Sequence, residues 1–151
     1  MNEEIWKPNV VVAAVAERDG RFLLIEEETS TGLRLNQPAG HWDPGETLFD
    51  AVTRETLEES AYHFRPTALV GIYSLPIADT GVTYLRFAFA GDITGHEPGR
   101  VLDTGVVRAL WQTVDEIRAQ RERHRSPLLL ECIEDFIAGR RYPLALVKHC
   151  V

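Results

Sequence analysis

Cysteine is scarce in this chain: there are two in 151 residues, Cys132 and Cys150. They have neither zinc-site spacing nor a CxxC pattern, which excludes a zinc ribbon and a thioredoxin-like motif. So few thiols, behind an N-terminus (MNEEIWKPN) without the apolar core of an export signal, point to a reducing cytoplasm. Long apolar runs are missing as well, and nothing approaches the roughly 20 residues of a membrane span. Positive charge is in deficit. Sixteen Lys and Arg stand against 23 Asp and Glu, for a net charge of −7. A general nucleic-acid-binding surface would be basic, so that class falls away. A small anionic substrate stays compatible, provided a cation screens the site. There is no internal repeat, low-complexity segment or linker. What remains is 44% hydrophobic and 26% charged, as expected of a globular protein. The length suits one domain, 1–151, with one real core.

The chemistry concentrates between residues 40 and 62, GHWDPGETLFDAVTRETLEESAY. A loop with Gly and Pro leads into a helix running from Thr47 to about Ala61, with Thr47 and Asp50 spaced as a capping box. Leu48 and Val52 begin an apolar stripe. The next positions in that stripe are Glu55 and Glu59, with Glu58 beside them. Like charges one helical turn apart repel by roughly 0.2–0.5 kcal/mol in water, and by more where partly buried. A divalent cation is the simplest compensation. Three carboxylates and the Gly40 carbonyl make an all-oxygen donor set. With no Cys or His joining them, they suit Mg²⁺, with Mn²⁺ as the alternative, rather than zinc. Such a cation is the usual partner of di- and triphosphates: it screens their charge, polarises the phosphoryl oxygen and lowers the pKa of bound water. A glutamate nearby can then take the proton from attacking water.

Around this helix the chain alternates. Val10–Ala16 reads as a buried strand, Asp19-Gly20 as a hairpin turn and Arg21–Glu27 as the antiparallel partner. Glu28–Gly32 reads as a polar loop and Arg34–Gln37 as a short extended piece before Pro38. Tyr62–Pro66 closes the helix, because proline cannot continue it. Thr67–Leu75, Val82–Ala90 and Val106–Trp111 read as strands, and Gly91–Asp103 as a loop. Thr113 with Glu116 starts a short helix. Ser126-Pro127 opens a terminal helix, Leu128–Ile137, stopped at Gly139. About six strands and three helices in this order predict α/β architecture, with a mixed sheet between helices as an α/β/α sandwich.

The spacing Gly40-x5-Glu46-x7-Arg54-Glu55-x2-Glu58-Glu59 resembles the signature box of the Nudix hydrolases, GX5EX7REUXEEXGU, where U is aliphatic. Thr56, Ala61 and Tyr62 depart from it, at packing and helix-end positions rather than ligand positions. Asn36-Gln37-Pro38-Ala39-Gly40-His41, Leu85-Arg86-Phe87, Arg125-Ser126-Pro127-Leu128 and Arg141-Tyr142-Pro143-Leu144 are similar to the phosphatase NudJ group within that family. The resemblance spans about Pro8 to Leu144. It implies the Nudix fold and hydrolysis of a nucleoside diphosphate linked to a group X. For the NudJ group it implies Mg²⁺-dependent release of orthophosphate from nucleoside tri- and diphosphates and from hydroxymethylpyrimidine diphosphate.

Carried over by position, Glu55, Glu58 and Glu59 are metal ligands, with the Gly40 carbonyl as a further one. Glu55 or Glu59 orients or deprotonates water. Asp103 or Glu97 is the acid that a later loop would supply, Asp103 being favoured. Arg54 pairs with Glu46 to fix the loop on the helix. Arg34, Gln37, His41 and Arg86 are the candidate substrate contacts. Against them stand the plainer alternatives of salt bridges for the arginines and local hydrogen bonds for Gln37 and His41. Trp42 either stacks on a base or packs. Two rival functions remain open: a pyrophosphatase acting on a nucleoside diphosphate-X such as a sugar nucleotide, and a non-catalytic nucleotide-binding module. Association is expected to be monomeric or homodimeric.

Overall fold

The structure, a computed structural model, describes residues 3–150. β-Branched and small apolar residues make Asn9–Val15 a strand, β1. Asp19 and Gly20 take φ of 53° and 76°, as a tight hairpin turn requires. They join Glu17–Arg18 (β2) to Arg21–Thr29 (β3). Gly32–Asn36 (β4), Ala39–His41 (β5) and helix Leu48–Ser60 (α1) follow, then the long strands Tyr62–Ile77 (β6) and Val82–His96 (β7). Val106–Thr113 (β8) and helices Val114–Arg118 (α2) and Leu128–Ile137 (α3) complete the order.

The expected single mixed sheet is instead two four-stranded sheets. One runs β5-β1-β7-β6, with β1 parallel to β7 and the other pairs antiparallel. The other is antiparallel, with β3 between β4 and β8 and β2 at its end. The expected pairing of β1 with β3 does not form because both hydrogen-bonding edges of β1 are already taken, by β5 and β7. Only the ends of the two strands meet, where the Leu23 N–H donates to Ala16 O at 3.0 Å.

The layered arrangement stands, and side-chain alternation explains it. Val12, Ala14 and Leu23 point to the α1 side, where Leu48, Ala51, Val52, Leu69 and Phe89 fill a core. Val15, Phe22, Leu24, Val70 and Ala88 point the other way, to Ile117 of α2 and Leu129, Cys132 and Ile133 of α3. Cys132 is buried, Cys150 exposed, and both are free thiols.

Two sequence signals mean something other than expected. Pro66 lies inside β6 rather than closing a helix. β6 is an edge strand of its sheet, and the pairing shifts register beside Pro66, which is where a sheet tolerates proline. Gly91–His96, expected as loop, extends β7 against the start of β6. A Cβ at Gly91 would lie 2.2 Å from Arg65 O, so that glycine permits a close strand approach rather than marking a turn. Among the described residues, no helix is long and apolar enough to cross a membrane.

Candidate active site

Helix α1 forms where the capping signals lie. Thr47 Oγ1 accepts the Asp50 N–H at 3.0 Å, and Asp50 Oδ2 accepts the Thr47 N–H at 3.2 Å. Leu48, Ala51 and Val52 anchor the inner face. The three motif departures have local explanations. Thr56, fully buried, donates its hydroxyl to Val52 O at 2.7 Å, so the helix itself satisfies a polar group at an aliphatic position. Ala61 is the C-cap in the left-handed region, at φ 66°, with its N–H on Leu57 O. This is the conformation for which glycine is preferred. Tyr62 accepts the Trp111 Nε1–H at 3.1 Å and stacks on His96 with ring centres 4.0 Å apart.

With α1 fixed, its acids converge with one from the loop after β7. Carboxylate oxygens of Glu55, Glu58 and Asp103 lie within 4.8 Å of one another. Asp103 is placed by its backbone N–H, which donates to Glu58 O at 3.0 Å. Glu97, the other loop acid considered, instead meets His63 Nε2 at 2.6 Å. Glu59 points inward, with Oε1 accepting the Ala39 N–H at 2.7 Å. Gly40 lies against Glu55, and a Cβ there would sit 2.1 Å from the carboxyl carbon.

Arg54 is the hub of the loop–helix junction. It donates to Glu46 from Nε at 3.1 Å and from Nη2 at 2.7 Å, and Nη2 also reaches His41 O at 3.1 Å. Its Nη1 donates to Glu55 Oε1 at 2.8 Å and Glu58 Oε2 at 3.3 Å. The hydrogen bonds from Arg54 lower the Glu46 pKa, while Arg54 is itself held more firmly protonated. One guanidinium is thus divided among several acids, and this shows in the helix carboxyls. Burial raises the Glu55 pKa in spite of Arg54, and Glu58 and Asp103 add repulsion. Burial pushes Glu59 up to about 8, against the Ala39 N–H and with added repulsion from Glu55 and Glu27. Converging oxygens, carboxyls starved of positive charge and a missing Cβ beside them fit a hard divalent cation.

Of these acids, Glu55 and Glu59 reach a cleft of about 400 Å³, whereas Glu58 and Asp103 are not part of its lining. Gly40, His41, Glu55, Glu59 and Arg86 line it. Arg86 is 5% exposed. Its Nη1 donates to Gln37 Oε1 at 2.9 Å, and it has no carboxylate partner among the described residues. Gln37 does not line the cleft. It is buried and braces Arg86 while donating Nε2 to Leu129 O at 2.7 Å. Arg34 lies elsewhere, hydrogen-bonded to Thr31 and to Glu122 O. Trp42 is also outside the cleft lining, its indole donating to Glu46 O at 2.7 Å. Sequence reasoning did not single out Arg125 and Ser126 as cleft residues. The Arg-Ser-Pro-Leu run was visible, but only folding brings it opposite β5.

A carboxylate-bearing helix packed on a mixed sheet, with a glycine loop over its acids, defines a Nudix domain. A family model described as NUDIX domain matches residues 6–132, and the chain belongs to the Nudix hydrolase family, whose members hydrolyse phosphorus-containing acid anhydrides. Over 143 residues it is 35% identical to Phosphatase NudJ of Escherichia coli (strain K12), covering 95% of this chain and 92% of that protein. A NUDIX hydrolase from Nitrosomonas europaea superposes with a TM-score of 0.92 at 52% identity, covering 95% of this chain and 98% of that one. A MutT NUDIX hydrolase from Burkholderia pseudomallei shares the fold at a TM-score of 0.70 and 22% identity, over 86% and 98% of the two chains.

Proposed function

We propose that this protein is a Mg²⁺-dependent phosphatase of the NudJ kind, with Mn²⁺ as an alternative cation. It releases orthophosphate from nucleoside tri- and diphosphates and from hydroxymethylpyrimidine diphosphate. The observation that carries the reading is the convergence of Glu55, Glu58 and Asp103 beside a cleft that also holds the buried, carboxylate-free Arg86. The 35% identity to Phosphatase NudJ supports the choice within the family.

Glu55, Glu58 and Glu59, with the Gly40 carbonyl, would hold the cation, which when bound supplies charge neutralisation at the phosphates and a more acidic water. Glu55 Oε1 is occupied by Arg54 Nη1 at 2.8 Å, which leaves Oε2 to receive the proton of the attacking water. Glu59 Oε1 is tied to the Ala39 N–H, so its Oε2 is the alternative acceptor. Asp103, whose carboxylate lies within 4.8 Å of those of Glu55 and Glu58, would orient the water. Arg86, braced by Gln37, binds a phosphate oxygen, and His41 contacts the substrate at the loop. Arg54 and Glu46 keep the loop docked on α1.

A substrate panel with Mg²⁺ tests this. Nucleotides, sugar nucleotides and hydroxymethylpyrimidine diphosphate are scored for orthophosphate, pyrophosphate and nucleoside monophosphate. Orthophosphate from the first and last classes is the expected result. Nucleoside monophosphate from a sugar nucleotide would establish the pyrophosphatase reading instead. Metal-dependent nucleotide binding without any product would leave a non-catalytic module.

A further inference from the structure

Two arginines line the cleft, Arg86 and Arg125, and only the first belongs to the reading above. Arg125 sits in the segment between α2 and α3, which is fastened to the second sheet. Its backbone N–H donates to Leu35 O at 2.9 Å, and Arg34 Nη1 donates to Glu122 O at 3.2 Å. The neighbouring Arg123 pairs with Glu26 and also donates to Gln120 Oε1 at 3.0 Å. Arg123, and Arg34 through Nη1, therefore use donors to hold the segment in place.

Arg125 has one side-chain hydrogen bond, from Nη1 to Glu27 Oε1 at 2.5 Å. Among the described residues its Nε and Nη2 have no partner. The side chain is 53% exposed, whereas that of Glu27 is 9% exposed. A buried carboxylate thus pins one corner of the guanidinium and leaves two donors without a partner on a residue that lines the cleft. A pre-positioned guanidinium loses less side-chain freedom on binding than a free one, and its fork matches phosphate oxygens.

We infer that Arg125 is a substrate-binding residue that donates Nε–H and Nη2–H to phosphate oxygens of the bound phosphoanhydride. Glu27 is the positioning residue that holds it there. The inference rests on the phosphohydrolase reading of this cleft.

The test combines steady-state hydrolysis of ATP in Mg²⁺ with equilibrium binding of a methylene-bridged ATP analogue. Losing a charge-assisted hydrogen bond corresponds to about a tenfold change in affinity. R125Q is expected to raise KM and the analogue Kd by about that factor, with KM carrying the fall in kcat/KM. R125K, a point charge without the fork, is expected to lose about threefold. E27Q is expected to lose about threefold too, and its effect on the analogue Kd to shrink when combined with R125Q, because it positions Arg125. A lowered Tm with unchanged KM and Kd in R125Q would mean that Arg125 only staples the segment, and would overturn the inference. So would an additive E27Q/R125Q double variant, or a parent that does not bind the analogue. A parent that binds the analogue but hydrolyses nothing would sink the functional reading, while the Kd series still decides the role of Arg125.

Discussion

Two pairs of glutamates drawn largely out of solvent are managed in opposite ways. Glu26 and Glu27 lie on β3, each 7% exposed. Each has its own cation: Glu26 meets Arg108 at 3.2 Å and Arg123, and Glu27 meets Arg125 at 2.5 Å. Hydrogen bonds from Arg123, and then from Arg108, hold the Glu26 carboxyl below its usual range in spite of burial. Glu55 and Glu59 lie on α1, with Glu59 9% exposed. Glu55 shares Arg54 with Asp43, Glu46 and Glu58, and Glu59 has no Arg or Lys partner among the described residues. Both have raised pKa values, with burial the largest cause. Burial alone therefore does not mark the site. The distinguishing feature is burial without enough positive charge, a deficit that a bound cation or a retained proton makes good.

The most severe test of that contrast removes one acid from each pair. E55Q should lose roughly a hundredfold or more of Mg²⁺-dependent turnover, with its Tm equal to or above that of the parent, since a destabilised charge is gone. Turnover within a factor of a few of the parent would leave Glu55 without an essential part. G40A comes next. Its Cβ would meet the Glu55 carboxyl at 2.1 Å, and Arg54 restrains that carboxyl from moving aside. A displacement of this kind should cost at least about tenfold in kcat. E26Q is the mirror experiment. It should lower stability by about 2 kcal/mol, because it leaves Arg108 and Arg123 without their acid, while kcat/KM stays at the parent value. An E26Q enzyme that melts normally but turns over slowly would erase the contrast between the two pairs.

The sequence exposed one side of this contrast far better than the other. Glu55, Glu58, Glu59 and Arg54 lie within a single helix, so helical spacing placed them together, and the family resemblance tied Glu46 of the leading loop to Arg54. The capping box at Thr47 was legible for the same reason. Arg125 and Glu27 are 98 residues apart, and no local period connects them. Arg34 was misplaced by proximity in sequence: it adjoins Asn36 and Gln37, but its side chain turns to Thr31 and Glu122. The layers were readable from alternating patterns. The split into two sheets was not, because it depends on which partners occupy the edges of β1, and every one of those contacts is long-range. Pro66 and Gly91 were read as stops because local propensity does not distinguish an edge strand with bulges from the end of an element.

A smaller effect comes from pH, with the cation stripped by EDTA. The Glu59 carboxyl keeps its proton in the fold up to about pH 8, against a usual value of 4.5. The stability gained from that bound proton is therefore fully present below about 4.5, and is lost as pH rises through 8. The Tm of the stripped protein should fall steadily between pH 5 and pH 8. E59Q should flatten that slope, and Mg²⁺ should raise Tm more at pH 8 than at pH 5. Metal-free melting curves that rise with pH across this window would show that Glu59 is not the buried, charge-poor acid of the helix.

The smallest effect separates charge from backbone as sources of cost in α1. Ala61 ends the helix at φ 66°, and an L-residue there carries a steric penalty of about 1–2 kcal/mol. The turn has little room to relax. The Ala61 N–H is fixed on Leu57 O at 2.9 Å, its carbonyl accepts the Glu97 N–H at 2.8 Å, and β6 begins at the next residue. A61G removes the penalty but gives up a buried methyl, worth about 0.8 kcal/mol. The net expectation is a gain of about 0.5 kcal/mol, read as a small rise in Tm, with kcat/KM unchanged. A lower Tm in A61G would mean that methyl burial outweighs backbone strain, leaving the crowded carboxylates as the main cost that this helix carries.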